Sequence, residues 1–305
     1  MHIAILLSTY NGATYLQDQL DSFVKQSHAD WSLWVSDDGS IDTTPDIIQT
    51  FSNQIGGKRV HQFAGPKKGF AANFFGLVCN PTIKADAYAY SDQDDIWMVD
   101  KLERAARFLS SVPINTPALY CSRTLYVDKH DRSLELSQRY TRPAVFANAL
   151  VQNIASGNTM VFNNAARSLL LKVDPHFDID LHDWVTYILV TGAGGQVLFD
   201  QAPSVRYRQH SKNLIGMNVG IKAKIRRIQM LFRGRFRTWN SKHVHMLYKM
   251  QEQLTPESLI IFKRFAKARQ LKGIERLAAF KKSGVYRQSL SNNIAFLIAA
   301  MVGKV

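Results

Sequence analysis

The chain has 305 residues, of which 46% are hydrophobic, with 17 glycines and 9 prolines. This composition excludes a disordered or fibrous protein and is sufficient for one large domain or two smaller ones. The two cysteines, Cys79 and Cys121, exclude a disulfide scaffold and a four-cysteine zinc site, and they lead us to expect a cytoplasmic protein.

Charge is divided unevenly along the chain, whose formal net charge is +14. From Arg206 onward there are 22 lysines and arginines against 3 aspartates and glutamates, whereas residues 1–205 carry 16 against 21. The imbalance predicts a working domain at residues 1–213 and a basic helical region at residues 214–305. A basic region of this kind suits phosphate-rich partners, either a membrane surface or a nucleic acid.

Signals for membrane insertion are weak throughout the sequence. The apolar start is too short for a signal peptide and has no basic residues before it, so it predicts a buried strand. No apolar run reaches the roughly 18 residues that a membrane-spanning helix needs. Residues 294–302 come nearest, and they could at most dip into a membrane interface.

Apolar segments of strand length alternate with helical periods through the first half of the chain, which predicts an α/β fold with crossover helices. The first predicted strands cover residues 2–8, 31–36, 59–63 and 87–91, and the helices between them cover residues 14–26, 43–51 and 70–78. Later predicted strands cover residues 118–127, 158–162, 196–199 and 204–207, and later helices cover residues 146–152, 164–172, 182–191, 241–253 and 257–280. The segment at residues 221–235 is amphipathic as well as basic.

Polar clusters follow three of the predicted strands, at residues 8–12, 36–40 and 91–95. In an open α/β sheet, ligands bind outside the carboxyl ends of the strands, so these clusters are the candidate site. The second cluster contains two adjacent acids that could accept hydrogen bonds from a base and a ribose. An ordinary turn, with Asp42 as the N-cap of the next helix, explains it equally well.

The third cluster places Asp92, Asp94 and Asp95 within four positions. Three such carboxylates repel one another unless a cation neutralises them, and oxygen ligands of this kind suit Mg²⁺ or Mn²⁺. The alternative is an Asp-rich turn that caps a helix beginning near Met98, a role that Asp100 could share.

Taken together, the three clusters resemble the family 2 glycosyltransferases, whose nucleotide-sugar-binding domain has the GT-A fold. The motifs are Ser-Thr-Tyr-Asn at residues 8–11, Val-Ser-Asp-Asp-Gly-Ser at residues 35–40, and a "DXD" element, Asp-Gln-Asp, at residues 92–94. The resemblance covers residues 3–213. It is greatest to rhamnosyltransferase-like members that build bacterial surface polysaccharide, and the narrower match lies at residues 69–74, 91–97, 156–159, 182–184 and 207–213.

The resemblance implies a mixed sheet flanked by helices and a pocket for a nucleotide sugar. The residues that it assigns to this pocket are Thr9, Tyr10, Asn11, Asp38, Lys67, Gly69, Asn73, Asp92, Gly157 and Asn158. Asp38 would bind the pyrimidine and Asp92 the ribose. Asp94 would hold Mg²⁺ or Mn²⁺ against the diphosphate, and His210 would complete the metal shell or contact the leaving diphosphate. Considered singly, Tyr10 could be a core residue, Lys67 part of a solvated turn and His210 a surface residue.

The same resemblance implies that Asp183 is the general base, because it matches a late acidic position of the family at the start of a predicted helix. Many members have Glu-Asp at this point, whereas this chain has His182 before Asp183. His182 could then tune or orient the base. The alternative for Asp183 alone is an N-cap of the helix.

The implied activity is inverting transfer of a sugar, with rhamnose as the candidate, from a dTDP- or UDP-linked donor to a growing polysaccharide or a lipid-linked saccharide. Glucosyl, galactosyl and N-acetylhexosaminyl transfer are alternatives. A basic nucleic-acid-binding protein is an alternative from another class, but it would leave the acidic clusters unexplained, so we expect no nucleic acid partner. A module that binds nucleotide sugar without catalysis is a third possibility. The basic tail predicts peripheral contact with the inner face of the membrane.

Overall fold

A computed structural model describes residues 1–210 and 234–305. The predicted boundary between residues 213 and 214, most of the amphipathic segment at residues 221–235 and the motif match at residues 211–213 lie outside the described residues. The fold is α/β, as predicted: the described chain forms one mixed sheet of nine strands with helices on both faces.

The first half of the fold alternates strands and helices. Its elements are β1 (Ile3–Thr9), α1 (Leu16–Val24), β2 (Trp31–Asp37), α2 (Thr44–Ile55), β3 (Val60–Ala64), α3 (Phe70–Cys79) and β4 (Ala87–Ser91). These four strands are parallel to one another in the order β3-β2-β1-β4. β1 lies between two neighbours and is buried along nearly its whole length, which explains its uninterrupted apolar sequence. The predicted elements of this half are confirmed, with shifts of a few residues at their ends.

The second half adds strands that run in both directions. Its elements are β5 (Ile96–Trp97), α4 (Lys101–Ser110), β6 (Ala118–Val127), β7 (Ser133–Leu136), α5 (Phe146–Ala149), β8 (Val161–Asn163), α6 (Asn164–Leu170), α7 (His182–Gly192) and β9 (Gln196–Arg208). The whole sheet has the order β3-β2-β1-β4-β8-β6-β9-β5, and β7 pairs with β6. β8 is antiparallel to both of its neighbours, which makes the sheet mixed.

Two differences from the predicted strands have local causes. The segments predicted at 196–199 and 204–207 form a single strand, β9, whose register against β6 shifts around Pro203. Proline lacks the N–H that a regular ladder needs, so the strand bulges there rather than ending. The short strands β5 and β7 were not predicted, because β5 has only two residues and all four residues of β7 are exposed.

Residues 234–305 form four helices: α8 (Arg235–Lys249), α9 (Pro256–Gln270), α10 (Gly273–Ser283) and α11 (Leu290–Met301). The prediction of a single helix at residues 257–280 is wrong, because the segment forms two helices. The segment is interrupted where Leu271 is extended and Gly273 adopts a positive φ of 52°, a conformation that favours glycine. α11 was not predicted as a helix. None of the described helices is both long and apolar enough to cross a membrane.

The core has two parts, one on each face of the sheet. Successive side chains of a strand point to opposite faces, so Ile3, Ile5 and Leu7 of β1 pack with α1, α2 and α4, whereas Ala4 and Leu6 pack on the other face. This second part also contains residues of α3, α5–α7 and the C-terminal helices. The C-terminal helices therefore share a core with the sheet.

Candidate active site

A cavity of about 1180 Å³ opens at the carboxyl ends of β1, β2 and β4, where the polar clusters were predicted to meet. Of the predicted site residues, those that line it are Thr9, Tyr10, Asn11, Asp38, Lys67, Gly69, Asp92, Asp94, Gly157, Asp183 and His210. The other two, Asn73 and Asn158, are buried and do not line the cavity.

The loop after β1 forms one wall and is fixed by Gln93. The backbone N–H of Tyr10 donates to Gln93 Oε1 at 2.8 Å, and Gln93 Nε2 donates to the carbonyl of Tyr10 at 3.0 Å. A Cβ on Gly12 would lie 2.2 Å from Gln93 Oε1, so a larger residue at this position would displace the Gln93 side chain. Sequence reasoning gave Gln93 no role, although its place between the two acids of the "DXD" element could have suggested one.

The two adjacent acids at the end of β2, Asp37 and Asp38, have different roles. Asp37 accepts hydrogen bonds from the Thr9 hydroxyl and from the backbone N–H groups of Gly39 and Ser40, so it holds the turn. Asp38 accepts from the backbone N–H groups of Lys67, at 2.6 Å, and Gly69, at 3.0 Å. These bonds bring the loop after β3 to the edge of the cavity. A carboxylate has further lone pairs, so Asp38 can still accept a hydrogen bond from a ligand.

Asn73 lies behind the wall of the cavity rather than in it. Its side-chain amide donates to the Ser8 hydroxyl at 2.7 Å and to the carbonyl of Ser36 at 2.8 Å, and its Oδ1 accepts from the Ser36 hydroxyl. The residue therefore ties α3 to the ends of β1 and β2, because a fully buried amide needs partners for each of its polar atoms.

Asn158 joins the two sides of the site in a similar way. Its side chain donates to Asp95 Oδ2 at 2.6 Å, and its carbonyl accepts from Lys101 Nζ at 2.6 Å. Asp95 also accepts from the backbone N–H of Arg208 at 3.3 Å. Asp95 and Asn158 thus connect the Asp-rich turn to the loop that carries Gly157.

The other two acids of this turn, Asp92 and Asp94, face the cavity. Burial, followed by the charges of Asp94 and Asp183, raises the pKa of Asp92 from its ordinary 3.8 to about 7, and the nearby Lys101 only partly offsets this. A cation in the cavity would relieve this repulsion. α4 has Asp100 as its N-cap without a side-chain capping bond, so the structure shows no capping task for the cluster.

His210 lies beside Asp94, although 116 residues separate them in the sequence. His210 Nε2 and Asp94 Oδ2 are 2.8 Å apart. The His210 ring stacks on Tyr15, with 5.1 Å between the ring centroids. Arg208, at the end of β9, donates to Asp18 Oδ2 at 2.7 Å and packs over the same Tyr15 ring. β9 and α1 therefore bring the imidazole to the Asp-rich turn.

The pair formed by Asp94 and His210 fits Mg²⁺ or Mn²⁺ as a two-donor site. Neighbouring ligands of an octahedral ion of this size lie about 3 Å apart, close to the observed separation. No group of three or more His, Cys, Asp or Glu side chains is arranged for a metal within residues 1–210 and 234–305. Water and substrate phosphate would therefore have to supply the remaining ligands, as is usual for Mg²⁺.

Asp183 lies in the first turn of α7 and lines the same cavity. Its carboxylate accepts from the backbone N–H groups of Trp184, at 2.7 Å, and Gly157, at 3.2 Å. Burial raises the pKa of Asp183 to about 6, and these hydrogen bonds oppose the rise. The N-cap of α7 is Leu181, so the alternative of Asp183 as the capping residue is not observed.

His182 makes no hydrogen bond to Asp183. Its ring stacks on Phe74 at 4.1 Å between centroids and meets Tyr90 edge-on at 4.6 Å. Neither ring nitrogen has a hydrogen-bond partner among residues 1–210 and 234–305, and burial lowers the pKa of His182 to about 3, so the ring is neutral. The ring packs closely against Gly157, because a Cβ on that residue would lie only 3.0 Å from His182 Nε2.

The mixed sheet and the acids clustered at its strand ends agree with the predicted GT-A fold, and comparison with known proteins gives the family. The family model for Glycosyl transferase family 2 matches residues 4–169. The chain therefore belongs to glycosyltransferase family 2, and it is a glycosyltransferase.

Relatives of this chain include a rhamnosyl transferase. The dTDP-rhamnosyl transferase RfbG of Shigella flexneri is 28% identical over 238 residues, which cover 74% of this chain and 78% of that protein. The predicted resemblance to rhamnosyltransferases is therefore confirmed, because one of the relatives is a rhamnosyl transferase.

Solved structures show the same fold. S. aureus TarS 1–349 in complex with UDP-GlcNAc has a TM-score of 0.55 and 13% identity, with 93% of this chain and 79% of that chain covered. The mannosyltransferase PcManGT from Pyrobaculum calidifontis, in complex with GDP-Man and Mn²⁺, has a TM-score of 0.54 and 17% identity, with 99% and 86% covered. The predicted GT-A fold is confirmed.

Proposed function

We propose that this chain transfers a sugar, with rhamnose as the first candidate, from a dTDP- or UDP-linked donor to a growing cell-surface polysaccharide such as O-antigen or to a lipid-linked saccharide. The observation that carries this proposal is that Asp92, Asp94, His210 and Asp183 all line one cavity. The likeness to a dTDP-rhamnosyl transferase supports the choice of sugar. Glucosyl, galactosyl and N-acetylhexosaminyl donors are the alternatives.

The nucleoside end of the donor would bind between the loops after β1 and β2. Thr9, Tyr10 and Asn11 line this part, and Asp38 supplies a carboxylate to the pyrimidine. Tyr10 is 57% exposed, so its ring is available to stack on a base. Asp92 would accept from the ribose.

The diphosphate would lie between the basic and acidic sides of the cavity. Asp94 and His210 would hold Mg²⁺ or Mn²⁺, which when bound neutralises charge on the diphosphate. Lys67 and Gly69 line the same cavity and would contact the phosphates or the sugar. Loss of the diphosphate develops negative charge, so groups already oriented toward it lower the barrier.

Asp183 would remove the proton from the acceptor hydroxyl as that hydroxyl attacks the anomeric carbon. The two backbone hydrogen bonds to its carboxylate hold it in one orientation, and Gly157 N–H supplies one of them. Attack from the face opposite the leaving diphosphate inverts the anomeric centre. A single carboxylate base is sufficient for such a displacement.

The basic C-terminal helices would bring the enzyme to the inner face of the membrane, where a lipid-linked acceptor is anchored. The described residues 234–305 carry 14 lysines and arginines against 3 glutamates and no aspartate. Each basic residue near an anionic lipid surface contributes about 1 kcal/mol. Membrane contact would therefore be peripheral.

In the alternative of a nucleic-acid-binding protein, the basic helices would bind phosphates and Phe232, Phe236 and Trp239 could stack on bases. Phe236 is buried, and the Trp239 ring contacts Trp184 and Arg235. Phe232, the third aromatic of that alternative, lies outside the described residues. Phe236 is therefore not available to stack on a base.

Thermal stabilisation by a panel of nucleotide sugars, followed by a turnover assay, tests the proposal. We expect dTDP-rhamnose or a UDP-sugar to raise Tm in the presence of Mn²⁺, because a ligand that binds only the native state stabilises it. Asp94→Asn should abolish the Mn²⁺-dependent part of this rise in Tm. Asp46→Asn, on the exposed surface of α2, should keep it. No shift with any donor would overturn the proposal, and stabilisation without product would indicate a binding module.

A further inference from the structure

The C-terminal helix α11 exposes a continuous apolar stripe. The stripe consists of Leu290, Ile294, Leu297, Ile298, Met301 and Val302, each between 40% and 78% exposed. Their spacing of three and four residues places them on one side of the helix. The helix has no charged residue along its whole length. The exposed side of α11 is therefore an apolar, uncharged surface in contact with water.

The opposite side of α11 holds it firmly in the fold. Phe296, Ala299 and Ala300 are buried, and Phe296 contacts Phe280 of α10 with 5.3 Å between ring centroids. Arg276 of α10 donates to the carbonyl of Ala300 at 3.0 Å. The stripe is thus presented by an anchored helix. Soluble monomers seldom expose contiguous apolar surface of this kind unless something binds there.

Positive charge surrounds the stripe. Residues 256–305 contain ten lysines and arginines but only two acidic residues, Glu257 and Glu275. Lys281 and Lys282 are exposed at the end of α10, which leads into α11, and Lys304 follows α11. The contact between Arg276 and Ala300 shows that α10 and α11 run in opposite directions, so basic residues lie near both ends of the stripe.

We propose that α11 lies in the interfacial layer of an anionic bilayer, with its apolar stripe among the acyl chains and the neighbouring lysines at the phosphate headgroups. An apolar stripe alone would suit a protein partner equally well. The surrounding positive charge selects anionic lipid, because headgroup attraction and apolar burial act together in helices that lie on membranes. The inference builds on the membrane contact proposed above, but it does not depend on the sugar-transfer chemistry.

The helix is also linked to the candidate base. Asn148 donates to the carbonyl of Tyr286, just before α11, at 3.0 Å and accepts from the Tyr187 hydroxyl of α7 at 3.0 Å. α7 is the helix that begins at His182 and carries Asp183. A docked α11 would therefore fix the orientation of the active site relative to the membrane.

Vesicle flotation of the full chain tests this inference. The probe is phosphatidylcholine vesicles with and without phosphatidylglycerol. We expect the variant Ile294→Asn/Ile298→Asn to lose roughly tenfold or more in partitioning onto the anionic vesicles, since it places two amides in the acyl region. Ile114→Asn, on a loop residue that is 86% exposed, is the matched control and should bind like the wild type. Lys281→Glu/Lys282→Glu should weaken binding only to the anionic vesicles.

Three results would overturn the inference. The first is unchanged flotation of the double asparagine variant, which would leave binding to charge alone. The second is a wild-type dimer in light scattering that the same variant disperses, because a second copy would then cover the stripe. The third is equal binding of the wild type to vesicles with and without phosphatidylglycerol, which would show that the basic residues do not select anionic lipid. Donor-induced stabilisation of the variant, measured without lipid, separates this failure from a failure of the proposed transferase activity.

Discussion

At the scale of single residues, the carboxylates of the site are of two kinds: some hold loops in place, and others line the cavity. Asp37 and Asp95 have their oxygens occupied by hydrogen bonds that shape loops. Asp92, Asp94 and Asp183 line the cavity, and burial raises the pKa of both Asp92 and Asp183. Raised values of this kind are typical of functional carboxylates, and Asp183 has a value suited to accepting a proton near neutral pH.

Asp183→Asn should lower kcat by roughly 10²- to 10⁴-fold, because the amide cannot accept the proton of the acceptor hydroxyl. Donor-induced stabilisation should remain, since the substitution keeps the shape of the side chain. The control is Asp178→Asn, at a carboxylate that is 82% exposed and pairs with Lys242. Steady-state kinetics at saturating donor would measure the effect, and near-normal turnover would remove Asp183 from the mechanism.

The assignment of Asp183 as the base also predicts how the activity of the wild type depends on pH. The base is active as a carboxylate, so kcat/KM should fall as the pH drops below about 6, where Asp183 becomes protonated. Activity that stays flat down to pH values near the ordinary pKa of an aspartate, about 4, would contradict this assignment.

At the scale of elements, α7 connects the site to the C-terminal helices. It is buried over almost all of its length, which explains why its sequence is apolar on every side. Its first turn carries Asp183, and its last residue, Gly192, contacts the C-terminal region through Leu254. The carbonyl of Gly192 also accepts from the backbone N–H of Thr255 at 3.0 Å. Displacement at either end of α7 would therefore affect both parts of the molecule.

Gly192→Ala and Gly76→Ala should have opposite effects on stability. At Gly192, the new Cβ would lie 2.7 Å from Leu254 and 3.0 Å from the Phe146 ring, and overpacking of this kind costs about 1–3 kcal/mol. At the exposed Gly76 of α3, no atom lies within 4 Å, so the alanine should stabilise the helix by up to about 1 kcal/mol. Urea midpoints compare the two variants directly. A stabilising Gly192→Ala would show that the end of α7 is loosely packed.

At the scale of the whole molecule, the C-terminal helices belong to the main core. Phe262, Phe265 and Phe280 are buried in the same cluster as Phe146 and Trp184 of the sheet-bearing part. Removal of the helices would expose these aromatic partners to water, at a cost of several kcal/mol. The division into residues 1–213 and 214–305 therefore stays a prediction about function rather than about independent folding.

Truncation after residue 213 tests the shared core. We expect the full chain to unfold in one calorimetric transition and the fragment 1–213 to aggregate or to bind a hydrophobic dye, because half of its core has lost its cover. A fragment that melts cooperatively at the wild-type temperature would instead establish two independent domains.

Much of the fold was readable from the sequence because its signals are local. The strands Ala87–Ser91 and Ala118–Val127 have the predicted bounds, and nearly all of their residues are buried. Glycine and proline positions explain where prediction was less accurate, at Gly273 and Pro203. The shared position of the three polar clusters also followed from sequence, because parallel strands end at the same edge of a sheet.

The sequence by itself determined the α/β fold, the polar clusters at the strand ends and the basic character of the C-terminal region, since each depends on neighbouring residues and their period. The family resemblance already implied that His210 lies near Asp94. Only the tertiary structure decided that Asn158 lies between Asp95 and Lys101 and that the apolar stripe of α11 faces water. Such contacts depend on strand order and helix packing. No local pattern encodes these directly, because they follow from the lowest free energy of the whole chain.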